Sequence, residues 1–264
     1  ALFQAAGYPL GEANALGFLG SVRRELGDYR QAADLFRHAT TLFQEIGHRR
    51  GEANALGNLG LVHRDTGDHA QAAVLLQRAL AVSREIGHRI GEAVNLNHLA
   101  TVHRETQDYE QAAALSHQAL IVFRDTGYRI GEAEALANLG AVCGKTGQHP
   151  QAAELSRQAL ALFRQIGYRA KETEALNNTA KVLLAAGAPA DALTMFAEAL
   201  AVARAIGCEI QQAHTLAGTA RCHTALGDTT TAATLLRQAI DIYRRLSAPE
   251  TEATATHLAT LHPV

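Results

Sequence analysis

Glycine returns every 40 residues, at Gly7, Gly47, Gly87, Gly127, Gly167 and Gly207, without an insertion, and Ala32, Ala72, Ala112, Ala152, Ala192 and Ala232 keep the same step. A fixed period of this size means that each unit is one supersecondary element whose apolar face needs its neighbours for cover. Six complete units follow: 7–46, 47–86, 87–126, 127–166, 167–206 and 207–246. Residues 1–6 align with the end of a preceding unit and 247–264 with an incomplete seventh that reads as a capping helix, so 1–264 is expected to form a single solenoid.

The pattern inside the unit selects helices over strands. In the second unit Ala53, Leu56, Leu59, Gly60 and His63 step by three and four, as do Ala72, Leu75, Leu76, Ala79, Leu80, Val82 and Ile86. Between these two amphipathic runs sits Gly67-Asp68, where glycine can adopt the left-handed helix-ending conformation and aspartate can cap the next helix. Gln71, three residues on, completes a capping box, and Asp28 with Gln31 and Asp108 with Gln111 repeat it; Gln148 with Gln151 lacks the acid. The expected fold class is therefore all-α, built from helix-turn-helix units.

The spacing Leu59-Gly60, Ala72, Leu76, Ala79 resembles the tetratricopeptide (TPR) repeat, and with six in-phase copies the resemblance covers essentially the whole chain. It implies an α-α superhelix. The family's Trp is replaced by Leu16, Leu56, Leu96, Leu136, Leu176 and Leu216, its Tyr by Arg23, His63, His103, Cys143, Leu183 and His223, and its helix-ending Pro is missing. About six additional residues per unit, as in Gly47 to Glu52, lengthen the first helix. This 40-residue form resembles the repeats of spindle-orientation scaffolds and those at the C-terminus of bacterial signal-transduction ATPases and antibiotic-pathway transcription activators. Only three of the 24 basic residues are lysine, a skew typical of GC-rich coding. The start in mid-repeat raises the expectation of upstream domains in a longer parent.

By the same resemblance the first helices line a concave, ligand-binding face. The positions pointing into it hold Asn14, Asn54, Asn58, Asn97, His98, Asn138, Asn177 and Asn178, with the cations Arg24, Arg64, Arg104, Lys181 and Arg221. Asn offers a donor and an acceptor, so a ladder of amides can pair with the backbone of a peptide whatever its side chains, and Arg adds carboxylate recognition. Gly17 and Gly57 are expected to let a ligand backbone approach. Against this stands the plainer account that Asn and Arg on a helix face are solvated residues, with Glu25, Asp65 and Glu105 beside the Arg row; yet Asn is a poor helix former and its recurrence brings no evident folding benefit.

Other chemistry finds little support. His63, His103 and His223 form a column whose members lie ~10 Å apart across units, too far to share a zinc at ~2.1 Å. The acids Glu12, Glu52, Glu92, Glu132 and Glu172 recur as a structural column in the first helical turn, with Arg49, Arg89, Arg129 and Arg169 three residues earlier, whereas a catalytic pair would be singular. No phosphate-binding or nucleophile motif occurs, so no catalysis, cofactor or metal is expected. A net charge of -2 and 5% aromatic content disfavour a nucleic-acid partner. Three cysteines without a CxxC pair and no long apolar run point to a reducing, cytoplasmic setting without a membrane. The expected role is a non-enzymatic interaction and sensor domain of a larger bacterial regulator. It would bind a peptide or the parent's own upstream domains to control transcription or signalling; the alternatives are a stand-alone scaffold and, last, a helical-repeat nucleic-acid binder.

Overall fold

The computed structural model describes residues 8–246, 248 and 250–261, and among these the chain forms thirteen helices and no strand. The first helices of successive units are α1 (Pro9–Glu25), α3 (Arg49–Asp65), α5 (Arg89–Glu105), α7 (Arg129–Lys145), α9 (Arg169–Ala185) and α11 (Glu209–Ala225). The second helices are α2 (Tyr29–Glu45), α4 (His69–Glu85), α6 (Tyr109–Thr126), α8 (His149–Ile166), α10 (Pro189–Ala205) and α12 (Thr229–Arg245), and α13 (Glu250–Leu261) follows them. The all-α repeat architecture expected from the period is the one observed. The expectations for residues 1–6, and for the turn replacement at Ser247 and Pro249, lie outside the described residues.

The turn between first and second helix is fixed by backbone bonds as much as by side chains. Gly67 has φ 81°, its N–H donates to the Arg64 carbonyl at 2.9 Å, and the Asp68 N–H donates to the His63 carbonyl at 2.9 Å, the Schellman arrangement. The carboxylates of Asp28, Asp68, Asp108 and Asp228 then accept the N–H three residues on, at 3.2, 3.1, 3.3 and 3.0 Å. The capping box is thus only half realised: the N–H of Asp68 that the Gln71 side chain was expected to satisfy is already bonded to His63. The histidine column has its own place here, because His63, His103 and His223 reach the capping carboxylates of Asp68, Asp108 and Asp228 at 3.2, 3.0 and 3.1 Å.

Small residues let the paired helices approach. Ala32, Ala72, Ala112, Ala152, Ala192 and Ala232 are fully buried, and a Cβ at Gly60 would stand 2.9 Å from Leu76 Cγ. Two compact units, 1–138 and 139–264, divide the chain. In the first, α3 packs between α2 and α4 through Phe36, Leu56, Leu59, Val62, Leu75 and Ala79, and α3 touches both α1 and α5. In the second, α10 lies against α9 and α11, while α13 sets Leu258 and Leu261 against Leu236, Ala220 and Ala232. Within each unit neighbouring first helices touch, α1 with α3 and α3 with α5 in the first and α9 with α11 in the second, so each unit by itself presents a face formed by first helices.

Candidate functional site

On the first-helix face of residues 8–138 two adjoining clefts open, of about 390 and 380 Å³. One runs between α3 and α5 and is lined by Arg50, Asn54, Asn58, His88, Asn95, His98 and Tyr128, among others. The other lies between α1 and α3, with Asn14, Gly17, Phe18 and Ser21 on one wall, Arg50, Asn54 and Asn58 on the opposite wall, and Phe36 and Phe43 among its lining. Arg50, Asn54 and Asn58 belong to both, because they follow one another at i, i+4 and i+8 along α3. Asn14 and Asn54 are exposed, Asn58 is half-buried, and Phe18 is 77% exposed, an aromatic face beside the amides.

Arg50 was not among the residues singled out from sequence, although a signal existed. Its register partners are Leu10, Ile90, Ile130, Ala170 and Ile210, so it is the one charge in an apolar column. The Arg50 side chain is exposed and forms no ion pair with an acid among the described residues. Its nearest titratable influence is on His88, whose pKa is held below the usual 6.5, first by burial and then by the Arg50 charge. His88 Nδ1 is buried without a hydrogen-bond partner. The cleft therefore carries an uncompensated positive charge beside neutral amides, an arrangement suited to an anionic or carbonyl-rich ligand.

The amide ladder splits into two classes. Asn97 and Asn177 are each 3% exposed and bonded to the neighbouring first helix. Asn138 Nδ2 donates to Asn97 Oδ1 at 2.9 Å and to Thr101 Oγ1 at 3.0 Å. In the second unit Thr215 Oγ1 donates to Asn177 Oδ1 at 2.9 Å, and Asn177 Nδ2 donates to Gln211 Oε1 at 3.2 Å. These asparagines have the folding role that the sequence did not reveal: they tie one first helix to the next. Gly57, in the same register column, is likewise committed to this seam, since a Cβ there would stand 2.9 Å from Asn95 Oδ1. Gly57 and Asn95 both line the cleft between α3 and α5, and Gly17 has no atom within 4 Å of its Cβ position.

The cation row is largely compensated in the first unit. Arg24 Nε lies 3.8 Å from Asp65 Oδ2, Arg64 Nε donates to Asp65 Oδ1 at 3.1 Å, and an Arg104 guanidinium nitrogen lies 3.8 Å from Glu105 Oε1. Half-buried pairs of this kind contribute ~0–1 kcal/mol and leave less attraction for a ligand than a lone cation would. In the second unit Asn178 is half-buried, and Lys181 and Arg221 are exposed. The first-turn acids prove structural: Glu52 is 4% exposed and paired with Arg49, and Glu172 is 2% exposed and held by Arg164 and Arg169 at 3.0 and 2.8 Å. No helix among the described residues is long and apolar enough to cross a membrane.

Comparison with known proteins agrees with this architecture. Three structures of low sequence identity share the fold. A Rap protein complexed with competence and sporulation factor is 14% identical, with TM-score 0.73 over 95% of this chain and 74% of that one. Aspartyl phosphate phosphatase F from Bacillus subtilis is 14% identical, with TM-score 0.68 over 99% and 73%. A signal-transduction ATPase with numerous domains and a tetratricopeptide repeat sensor, from Pyrococcus horikoshii, is 16% identical, with TM-score 0.65 over 96% of this chain and 39% of that one. No curated protein matches the sequence. The profile of the tetratricopeptide repeat family matches residues 11–85, 91–165 and 169–261, and the chain belongs to that family of protein-interaction repeats.

Proposed function

We propose that the first-helix face of residues 8–138 recognises a peptide segment of a protein, with Asn54 and Asn58 pairing to the peptide backbone and Arg50 to a carboxylate. The observation that carries this reading is the pair of clefts that share those three residues, with an uncompensated cation at their junction. Asn14, Gly17 and Phe18 extend the surface along α1, and His98 and Tyr128 extend it past α5. A main-chain ligand suits such a surface, because a carboxamide satisfies both a carbonyl and an N–H and is indifferent to side chains.

The wider role we infer is that of a non-enzymatic sensor region in a larger cytoplasmic bacterial regulator, in which ligand occupancy, or docking of the parent's own upstream domains, controls signalling or transcription. Support comes from the fold shared with a Rap protein in complex with its factor and with the repeat sensor of an ATPase of many domains. Removing two backbone-directed amides loses ~1–3 kcal/mol, or ~5- to 150-fold in affinity. Peptides selected from a displayed random library and titrated calorimetrically should bind the Asn54→Ala/Asn58→Ala variant at least tenfold more weakly at unchanged melting temperature. Equal affinity for both proteins would refute the site. Titration with the parent's upstream segment separates the regulator from the scaffold: binding that competes with the peptide supports intramolecular control, and its absence shifts the role to assembly of external partners.

A further inference from the structure

Where one repeat joins the next, an aromatic ring of the second helix usually meets an alanine of the following first helix. Phe43 shares a core with Ala55, and the register repeats as Phe123 with Ala135 and Phe163 with Ala175. Between α4 and α5 the same two positions hold Ser83 and Asn95, which are 1% and 5% exposed. A buried hydroxyl and carboxamide in place of a ring and a methyl group forfeit apolar burial, and the other joints show that the fold does not require them. Arg50, the one charge in its column, lines the same cleft as Asn95, so both departures from the period meet at one place.

Asn95 is held so that its oxygen is the group on offer. Its Nδ2 donates to the Gly91 carbonyl at 2.8 Å and to Ser83 Oγ at 3.4 Å, and because a carbonyl can only accept, these bonds fix which end of the carboxamide carries the nitrogen. Oδ1 lies on the side of Gly57, where a Cβ would stand 2.9 Å from it, and among the described residues it accepts no hydrogen bond. The cleft thus has an acceptor in its floor, the Asn54 and Asn58 amides on its wall and the Arg50 cation beside them. We propose, resting on the peptide reading above, that Asn95 selects a carboxamide side chain, Gln or Asn, in the bound segment, next to the acidic residue taken by Arg50. The ligand's amide N–H donates to Asn95 Oδ1 and its carbonyl accepts from Asn54 or Asn58. A carboxylate in that place sets lone pairs against the lone pairs of Oδ1, an aliphatic side chain leaves Oδ1 without a donor, and an ammonium is repelled by Arg50.

Panning a displayed random-peptide library on the full chain should return segments enriched in Gln or Asn close to an acid. On Asn95→Ala, which installs the residue that α1, α3, α7 and α9 carry at this register, the acid should stay and the carboxamide enrichment should vanish. Exchanging Gln for Glu in a selected peptide should weaken calorimetric binding to the unmodified chain about tenfold, and binding to Asn95→Ala less than about threefold. Ser83→Phe with Asn95→Ala rebuilds the joint of the other repeats, so it should melt no lower than the unmodified chain and show the same loss of selectivity, which separates lost selectivity from lost folding. Acid-bearing binders that depend on Asn54 and Asn58 but lack the carboxamide, carry Ser or Thr in its place, or keep it on Asn95→Ala overturn the proposal and leave peptide recognition standing. A library that yields no binder removes both.

Discussion

Replacing Asn97 by alanine distinguishes a seam from a ligand surface. The Asn97 side chain is 3% exposed and accepts from Asn138 Nδ2 at 2.9 Å. Loss of that bond costs about 0.5–1.5 kcal/mol, and the vacated amide volume adds to it. Alanine's better helix propensity returns up to about 0.7 kcal/mol. The net expectation is a destabilisation of about 1 kcal/mol, since Asn138 keeps Thr101 Oγ1 at 3.0 Å and is not left stranded. For a chain of this size that is a fall of about 2–4 °C in melting temperature. A double-mutant cycle with Asn138→Ala should return a coupling of about 0.5–1.5 kcal/mol, above the ~0.3–0.5 kcal/mol scatter of independent sites. Asn54→Ala, on an exposed position, should leave stability unchanged or slightly raised. Urea unfolding with native-state hydrogen exchange on α5 and α7 reads both. A stable Asn97→Ala protein without coupling to Asn138 would refute the seam and return Asn97 to the ligand face.

Among the described residues Gln107 is the one non-glycine residue at positive φ, 65°, where the equivalent positions Gly27, Gly67, Gly147, Gly187 and Gly227 are glycine. Left-handed backbone costs glutamine ~1–2 kcal/mol, and glycine's greater unfolded-state freedom offsets part of that, so Gln107→Gly should stabilise by ~0.5–1 kcal/mol in urea melts; a destabilised variant would contradict this. His88, with its pKa lowered by burial and by Arg50, binds fewer protons folded than unfolded, so its contribution is full above about 6.5 and is lost as pH falls from there through the lowered native value. His88→Asn should therefore reduce the drop in melting temperature between pH 7.5 and 5.5, and an identical drop would count against the assignment. Burial raises the Cys143 and Cys222 thiols, so a thiol reagent at neutral pH should modify the partly exposed Cys208 first, as mass spectrometry would show.

The period, the two helices per unit, the glycine turns and the capping aspartates follow from local rules, because each depends on residues within a few positions of one another. Gly67-Asp68 needs only its own turn. What the period could not convey is how closely one first helix approaches the next. Positions 57, 97 and 177 flank the exposed stripe by a single residue, and only the neighbouring helix decides that Asn97 is buried while Asn58 lines a cleft. The pairing of His63 with Asp68 was similarly hidden, since it crosses a helix end where simple periodicity stops. Arg50 carries no periodic signal, and its significance is that it interrupts a column of Leu10, Ile90, Ile130 and Ile210.

The most direct test of peptide recognition is nuclear magnetic resonance of the side-chain amide and guanidinium groups during titration with a library-selected peptide. The account predicts that the Asn14, Asn54 and Asn58 amides and Arg50 Nε shift together with the binding curve, while the Asn97 amide keeps the signature of its bond to Asn138. Shifts confined to the outward faces of α2 and α4, with Asn54, Asn58 and Arg50 unmoved at saturation, would contradict it.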